Sequence, residues 1–394
     1  MTMSAARDRI VEPVAPVRVL IANDHLGWGD ALHGVGRYLL NITTHFDPAL
    51  VAAHPVILRD EPVLAERFRE SGVNLRVLGR SKSDPRALLD LMRIVRRERI
   101  EVIHVQAIKA DTLGRIVGLC TGIPTIVHGR DRIARRPGYV RATDRLLGPR
   151  TRYAFAVSDS VRRHLHLDRK IPLESIRVFY HGVDMDAFRP LDEEQRCAER
   201  HRLGLPVDAI AAGTTTRLHP SKGHVHLVRA LAKIADRAPT LYLLLANEGE
   251  EEPSLREEVD RLGLGARVIF AGSRLSVRSF LSALDIFVIP SLSEGFPNSM
   301  LEAMAAGRPV LSTDVDGMGE MLVPEKDALV VPAGDPDALA EQLWRLVSEE
   351  DLRNHLAEAA VTFADQLSIR GTVEKLTQIY HEVARGNGRP TGRI

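Results

Sequence analysis

The chain has 394 residues, 44% of them hydrophobic, with 53 Lys and Arg against 52 Asp and Glu and a formal net charge of +1. That length exceeds one ordinary core and predicts two domains, while the balanced charge carries no signature of a nucleic-acid partner. Two cysteines, Cys120 and Cys197, cannot make a disulfide framework, and no C-x-x-C metal spacing occurs, which fits a reducing, cytoplasmic setting.

Residues 1–16 mix charges with prolines around no apolar core, so a disordered lead-in is expected there and not a signal peptide. No run approaches the roughly 20 apolar residues that span a bilayer. Strand 17–22 comes first, then a Gly/Asp-rich loop, and Gly34-Val-Gly36 opens a helix. The pattern then alternates: strand 54–59, helix 62–71, strand 74–79, helix 84–99, strand 101–106, helix 110–120, strand 124–129. After an Arg-rich segment come strand 153–158, a helix, and strand 176–180. Residues 181–208, with Gly182, Pro190, Pro206 and a charged run, read as the interdomain connection.

A second alternating series follows, with strands at 209–214, 241–246, 267–271, 286–290, 309–312 and 328–332, and helices at 335–348, 351–365 and 369–384. Strands alternating with helices mean parallel sheets. The fold class expected is α/β: two doubly wound, Rossmann-like domains, residues 17–190 and 191–368, facing each other across a cleft. A helix over 369–385 and a loose tail over 386–394 complete the chain. A cleft between domains is where ligands bind by default.

Two loops converge on the carboxyl edge of the second sheet, where α/β folds bind ligands. In one, Arg217 and Lys222-Gly223 lie between the strand 209–214 and a helix over 224–236. Arginine's fork, lysine's point charge and a helix N-terminus suit a diphosphate, though a loop Arg and Lys are also what plain solvation would leave there. In the other, Glu294-Gly295-Phe296-Pro297-Asn298 follows the strand 286–290 and leads into a helix carrying Glu302. Ser299-Met-Leu-Glu302 has capping-box spacing, which would give Glu302 a structural task beside any bond to a ribose diol. Glu294, in a Gly/Pro loop, has no such task and is the stronger candidate for recognising a ligand.

Glu294-x7-Glu302 within Glu-Gly-Phe-Pro-Asn-Ser-Met-Leu-Glu-Ala-Met-Ala-Ala-Gly-Arg-Pro-Val resembles the signature of glycosyltransferase family 4, the retaining enzymes of GT-B fold. Arg217…Lys222-Gly223 resembles the same family's G-R-L-x-x-x-K-G, and weaker matches fall in family order: Gly34-Val-Gly36, Pro124 to Gly129, Val157-Ser158, and Gly182-Val-Asp184. The resemblance covers residues 17 to 385 and implies that the C-terminal helix crosses back to the first domain. It implies that Glu294 bonds the donor sugar, helped by the backbone of Gly295, Phe296, Pro297 and Asn298. Glu302 would hold the ribose, Arg217 and Lys222 would neutralise the leaving diphosphate, and His128 would contact the sugar near the reacting carbon. Gly34 and Gly36 would admit phosphate or acceptor, or else simply open a helix.

The chain departs from the family pattern at His181, expected to be harmless at an interdomain turn, and at Asn247 to Pro253, where three successive acids replace a Gly-rich loop. Asp184-Met-Asp186 and Asp314-Val-Asp316 match the D-x-D of metal-dependent transferases but sit in the wrong architecture, so no metal and no cofactor is expected. Eight arginines between Gly129 and Arg152 suggest an anionic or lipid-linked acceptor or an anionic membrane surface. The segment lacks the aromatics of a single-strand nucleic-acid site. The reading is an enzyme that is cytoplasmic or peripherally bound at the inner face of the membrane, transferring sugar from a nucleotide-sugar (UDP first, GDP second) to a hydroxyl acceptor in envelope or polysaccharide synthesis. Its rivals are a sugar-nucleotide epimerase of the same fold and a non-catalytic nucleotide-sugar sensor. A dinucleotide dehydrogenase is disfavoured, because Gly34-Val-Gly36 lacks a third glycine.

Overall fold

The computed structural model describes residues 15–28, 31–32, 34–81, 84–129, 138–273, 276–316 and 318–386. Of the expected lead-in over 1–16 and tail over 386–394, residues 1–14 and 387–394 lie outside them.

The first half supplies β1 (Val17–Asn23), a hairpin of β2 (Gly27–Trp28) and β3 (Ala31–Leu32), β4 (Val51–Ile57), β5 (Arg76–Val77), β6 (Val102–Gln106), β7 (Thr125–Gly129), β8 (Tyr153–Ala156) and β9 (Ile176–Val178). Hairpin apart, these strands form one parallel sheet in the order β5-β4-β1-β6-β7-β8-β9. The second half supplies β10 (Ile210–Thr214), β11 (Leu241–Ala246), β12 (Val268–Gly272), β13 (Ile286–Ile289), β14 (Val310–Asp314) and β15 (Leu329–Pro332), in the order β12-β11-β10-β13-β14-β15. Helices cover the sheets, so central strands such as β1 and β13 are buried on both faces and read as continuous apolar runs.

Two expectations need correction. The second strand starts at Val51, not 54, and the strand expected over 74–79 shrinks to Arg76–Val77. The first follows from β1, whose Val17 pairs with Val51; the second from Pro55 inside β4, which has no N–H to give, so β5 pairs only with Val56 and Ile57 beyond it. The connection over 181–208 is largely helical. Asp184 accepts from the amides of Asp186 and Ala187 to cap Met185–Phe188, and Asp192 accepts from Gln195 N to cap Glu193–Arg202. The charged run is thus one helix, held to the second half by Arg196 and Arg200 on Asp285 (2.7 and 3.0 Å).

The last helix, Ile369–Ala384, leaves the second half and docks on the first. Its Ile369, Val373, Leu376, Ile379, Tyr380 and Val383 recur at helical spacing and share one core with Val19, Ile21, Leu39 and Ile42. The two crossings between halves run side by side. Val183 N donates to Leu367 O (2.9 Å) and Ile369 N to Val183 O (2.8 Å).

Candidate active site

β10 and β13 are neighbours, so the loops that leave their carboxyl ends are adjacent before any side chain acts. Leu292 N donates to Ser221 O (2.8 Å), stitching one loop to the other. Gly223 has φ +65, and a Cβ there would run into the Pro290 carbonyl, so only glycine lets the loops close to this distance. The result is an ion pair: Lys222 Nζ lies 2.6 Å from Glu294 Oε1, and Ser291 Oγ donates to the same oxygen at 2.7 Å. The Glu294 side chain is 8% exposed and that of Lys222 24%, so neither charge is left buried and uncompensated. Arg217 does not join them; its side chain is exposed at the rim of its loop. Asp316 accepts from Ser293 Oγ (2.9 Å) and Glu294 N (3.3 Å), which gives this half of the D-x-D pattern a structural task.

Glu302 sits elsewhere than expected. The helix spans Asn298–Ala305 with Pro297 as its cap and no side-chain cap bond, so Ser299 is inside it and Glu302 lies past its first turn. The capping box is not formed, because extended Pro297 (φ −80, ψ 100) starts the helix two residues too early for it. Glu302 is buried and instead faces Arg37 of the first half, with Arg37 Nε 3.4 Å from Oε1. Its Oε2 is buried and accepts no hydrogen bond from any described residue. Gly36, one residue before Arg37, is needed for packing: a Cβ would strike the Leu26 carbonyl. The Gly34 carbonyl accepts from Asn298 Nδ2 at 3.3 Å. Gly34 therefore meets the second half across the cleft, while Gly36 packs within the first.

His128 does not stand open to the cleft. Its ring is buried, with His104 Nε2 3.1 Å from Nδ1 and His181 Nε2 3.2 Å from Nε2. The row continues at both ends. Tyr380 Oη lies 2.6 Å from His104 Nδ1, and His181 Nδ1 lies 3.0 Å from Asn298 Oδ1. Tyr38 stacks on His181 (4.2 Å) and meets His128 edge-on (5.3 Å). Phe296 stacks on Tyr180 (5.9 Å) and packs edge-on to His181 (5.5 Å), so the loop after Glu294 leans on the connection between halves. Burial pushes the Tyr380 phenol well above its ordinary range.

Two stretches of sequence match known families. Residues 32–187 match Glycosyltransferase Family 4, and residues 210–349 match Glycosyl transferases group 1. The chain belongs to glycosyltransferase family 4. D-inositol 3-phosphate glycosyltransferase of Corynebacterium urealyticum is 31% identical over 53% of this chain and 51% of its own. UDP-Gal:alpha-D-GlcNAc-diphosphoundecaprenol alpha-1,3-galactosyltransferase of Escherichia coli is 23% identical over 75% of this chain and 79% of its own. The chain spans about half the length of several such curated relatives. Among solved structures, Anabaena HepE in complex with UDP superposes with a TM-score of 0.81 at 19% identity, over 93% of this chain and 100% of that one. Sucrose-phosphate synthase of Thermosynechococcus elongatus gives 0.77 at 19% identity, over 94% and 100%. The arrangement of sheets is that of the GT-B fold.

Within this member of the family, sequence reasoning missed Arg37, His104, His181 and Tyr380. One signal was present: β6 and β7 pair with Gln106 opposite His128, which puts His104 two residues back on the same face. His181 was read as harmless, and that is corrected by its bonds to both His128 and Asn298. The acids after Asn247 turn to local partners: Glu248 to Ser273 Oγ (2.9 Å), Glu250 to His219 (3.3 Å) and Glu251 to His224 (3.5 Å). In the Arg-rich segment, residues 130–137 lie outside the described ones. Arg141, Arg145, Arg150 and Arg152 are exposed, while Asp144 turns inward onto Arg115 (2.7 Å) and Arg169 (3.0 Å). That acid is thereby removed from the surface where the arginines stand.

Proposed function

We propose that this chain transfers a sugar from a nucleoside-diphosphate sugar to a hydroxyl acceptor, with retention at the anomeric carbon and without a metal. The observation that carries the reading is the Lys222–Glu294 pair (2.6 Å) at the joined edges of β10 and β13. It sets a cation for the diphosphate beside a carboxylate for sugar hydroxyls. Glu302, with one buried oxygen unbonded by the described residues, suits a ribose diol. In the reaction the acceptor oxygen bonds to the anomeric carbon, the bond from that carbon to phosphate oxygen breaks, and the acceptor proton passes to the departing phosphate. Lys222, released from Glu294, then stabilises the charge growing on the diphosphate, with Arg217 at the rim as a second cation.

UDP is the first choice of nucleotide and GDP the second. Anabaena HepE, a fold neighbour, was crystallised with UDP and with UDP-glucose, and the Escherichia coli relative is named for UDP-Gal and a diphosphoundecaprenol-linked acceptor. These names favour an envelope or polysaccharide acceptor, lipid-linked or otherwise anionic. Exposed Arg141, Arg145, Arg150 and Arg152 suit such an acceptor or the inner face of a membrane. No helix among the described residues is long and apolar enough to cross a bilayer.

A thermal-shift screen of UDP, GDP, ADP and their sugars tests the reading, because a ligand of the folded state raises the midpoint by mass action. UDP and one UDP-sugar should raise it. A response to GDP-sugars alone would change the nucleotide, and no response to any of them would overturn the proposal.

A further inference from the structure

With its three rings neutral, the buried row Tyr380–His104–His128–His181–Asn298 takes one arrangement of protons, which follows from its Asn298 end. Asn298 Nδ2 donates to the Gly34 carbonyl, which can only accept, so Asn298 Oδ1 faces His181 and accepts from Nδ1–H. A neutral imidazole has a single N–H, so His181 Nε2 accepts and His128 Nε2–H donates to it. His128 Nδ1 then accepts from His104 Nε2–H, and His104 Nδ1 accepts from the Tyr380 hydroxyl. Reversing the row would set the Asn298 carbonyl oxygen against that of Gly34. A cationic ring would instead turn around the bonds on its Tyr380 side, so that each ring between it and Tyr380 donates toward that hydroxyl. In the neutral row each of these contacts is made once, and the direction is set from outside the row by the Asn298 amide.

The ends of this row belong to distant parts of the chain. Tyr380 comes from the C-terminal helix that crosses back, His181 from the connection between halves, and Asn298 from the loop after Glu294. Gly34 anchors the last bond from the opposite side of the cleft. The rings are clamped by Tyr38 on His181 and by Phe155 edge-on to both His104 and His128 (5.7 Å each).

We infer that Tyr380, His104, His128 and His181 are positioning residues that hold the amide of Asn298 for the donor sugar, with the three rings neutral. The C-terminal helix is then a working part of the active site, although its residues lie far from the substrate in sequence. The inference rests on the glycosyltransferase reading for the role of Asn298. The proton arrangement itself does not.

Two measurements on the full chain test it. NMR of isotope-labelled histidines should find three neutral rings, with N–H at Nε2 of His104 and His128 and at Nδ1 of His181. Tyr380→Phe deletes one hydroxyl and should give His104 and His128 mixed tautomers. It should cut kcat for UDP release from a panel of UDP-glucose, UDP-galactose and UDP-N-acetylglucosamine by about tenfold or more, while leaving the Kd for UDP within about twofold. His181→Ala at the other end should give the same split and stands in should Tyr380→Phe fail to fold. A charged ring, the opposite tautomers, or an unchanged kcat in both variants overturns the inference. A wild-type protein that binds no nucleotide and releases no UDP overturns the donor-site role through the functional reading, while the tautomers still decide the row.

Discussion

Lys222 Nζ and Glu294 Oε1 lie 2.6 Å apart across 72 residues of sequence, each on the first loop beyond a neighbouring strand. Without a substrate each residue answers the other's charge. In the proposed function a diphosphate would compete for the lysine and leave the carboxylate to sugar hydroxyls, so binding would exchange one set of charge-assisted bonds for another.

Removing the cation should therefore act on the chemical step. Lys222→Ala is expected to lower turnover by roughly 10²-fold or more, as loss of one preorganised stabilising group does. Steady-state UDP release measures it, and near-normal turnover would take Lys222 out of the diphosphate site.

Gly223 should be intolerant of any side chain. Its φ of +65 strains an L-residue by about 1–2 kcal/mol, and the Pro290 carbonyl leaves a methyl no room. Gly223→Ala should destabilise the fold by at least that amount in urea titrations and weaken UDP binding, since it pries apart the loops bearing Lys222 and Glu294. A variant as stable as wild type, with the same affinity, would contradict the stitched-loop geometry.

Glu302→Gln keeps the shape but removes the charge facing Arg37. Bonds to a charged group contribute about 1.5–3 kcal/mol, so the KM for the donor should rise about tenfold or more with kcat largely retained. A fall in kcat at constant KM would instead place Glu302 at the reacting bond.

Chelation separates the metal-free reading from its rival. With Lys222 and Arg217 supplying the positive charge, excess EDTA should leave UDP release unchanged. Loss of activity restored by Mg²⁺ would return Asp184-Met-Asp186 and Asp314-Val-Asp316 to consideration.

The alternation of apolar strands and helices made the two sheets and most of their elements legible, because strands buried on both faces leave continuous apolar runs. It failed where one residue changed the local rule. Pro55 shortened the neighbouring strand, Pro297 moved the helix start and undid the capping box at Ser299, and Asp184 and Asp192 turned a charged connection into capped helices. Glu294 and Lys222 were readable as a pair because both lie on loops at one sheet edge, which topology alone dictates.

The sequence by itself determined the α/β class, the two halves and the family-like loops that carry Glu294, Glu302 and Lys222. Only the tertiary structure decided what those groups touch. It took Arg217 out to the rim, set Glu302 against Arg37, and closed His128 between His104 and His181. The physical reason is that periodicity reports which face of an element is buried, whereas a buried polar group is placed by hydrogen bonds it must find on other elements. Tyr380 shows the distance such a bond spans, since its partner His104 lies 276 residues away and no local pattern in the chain joins them.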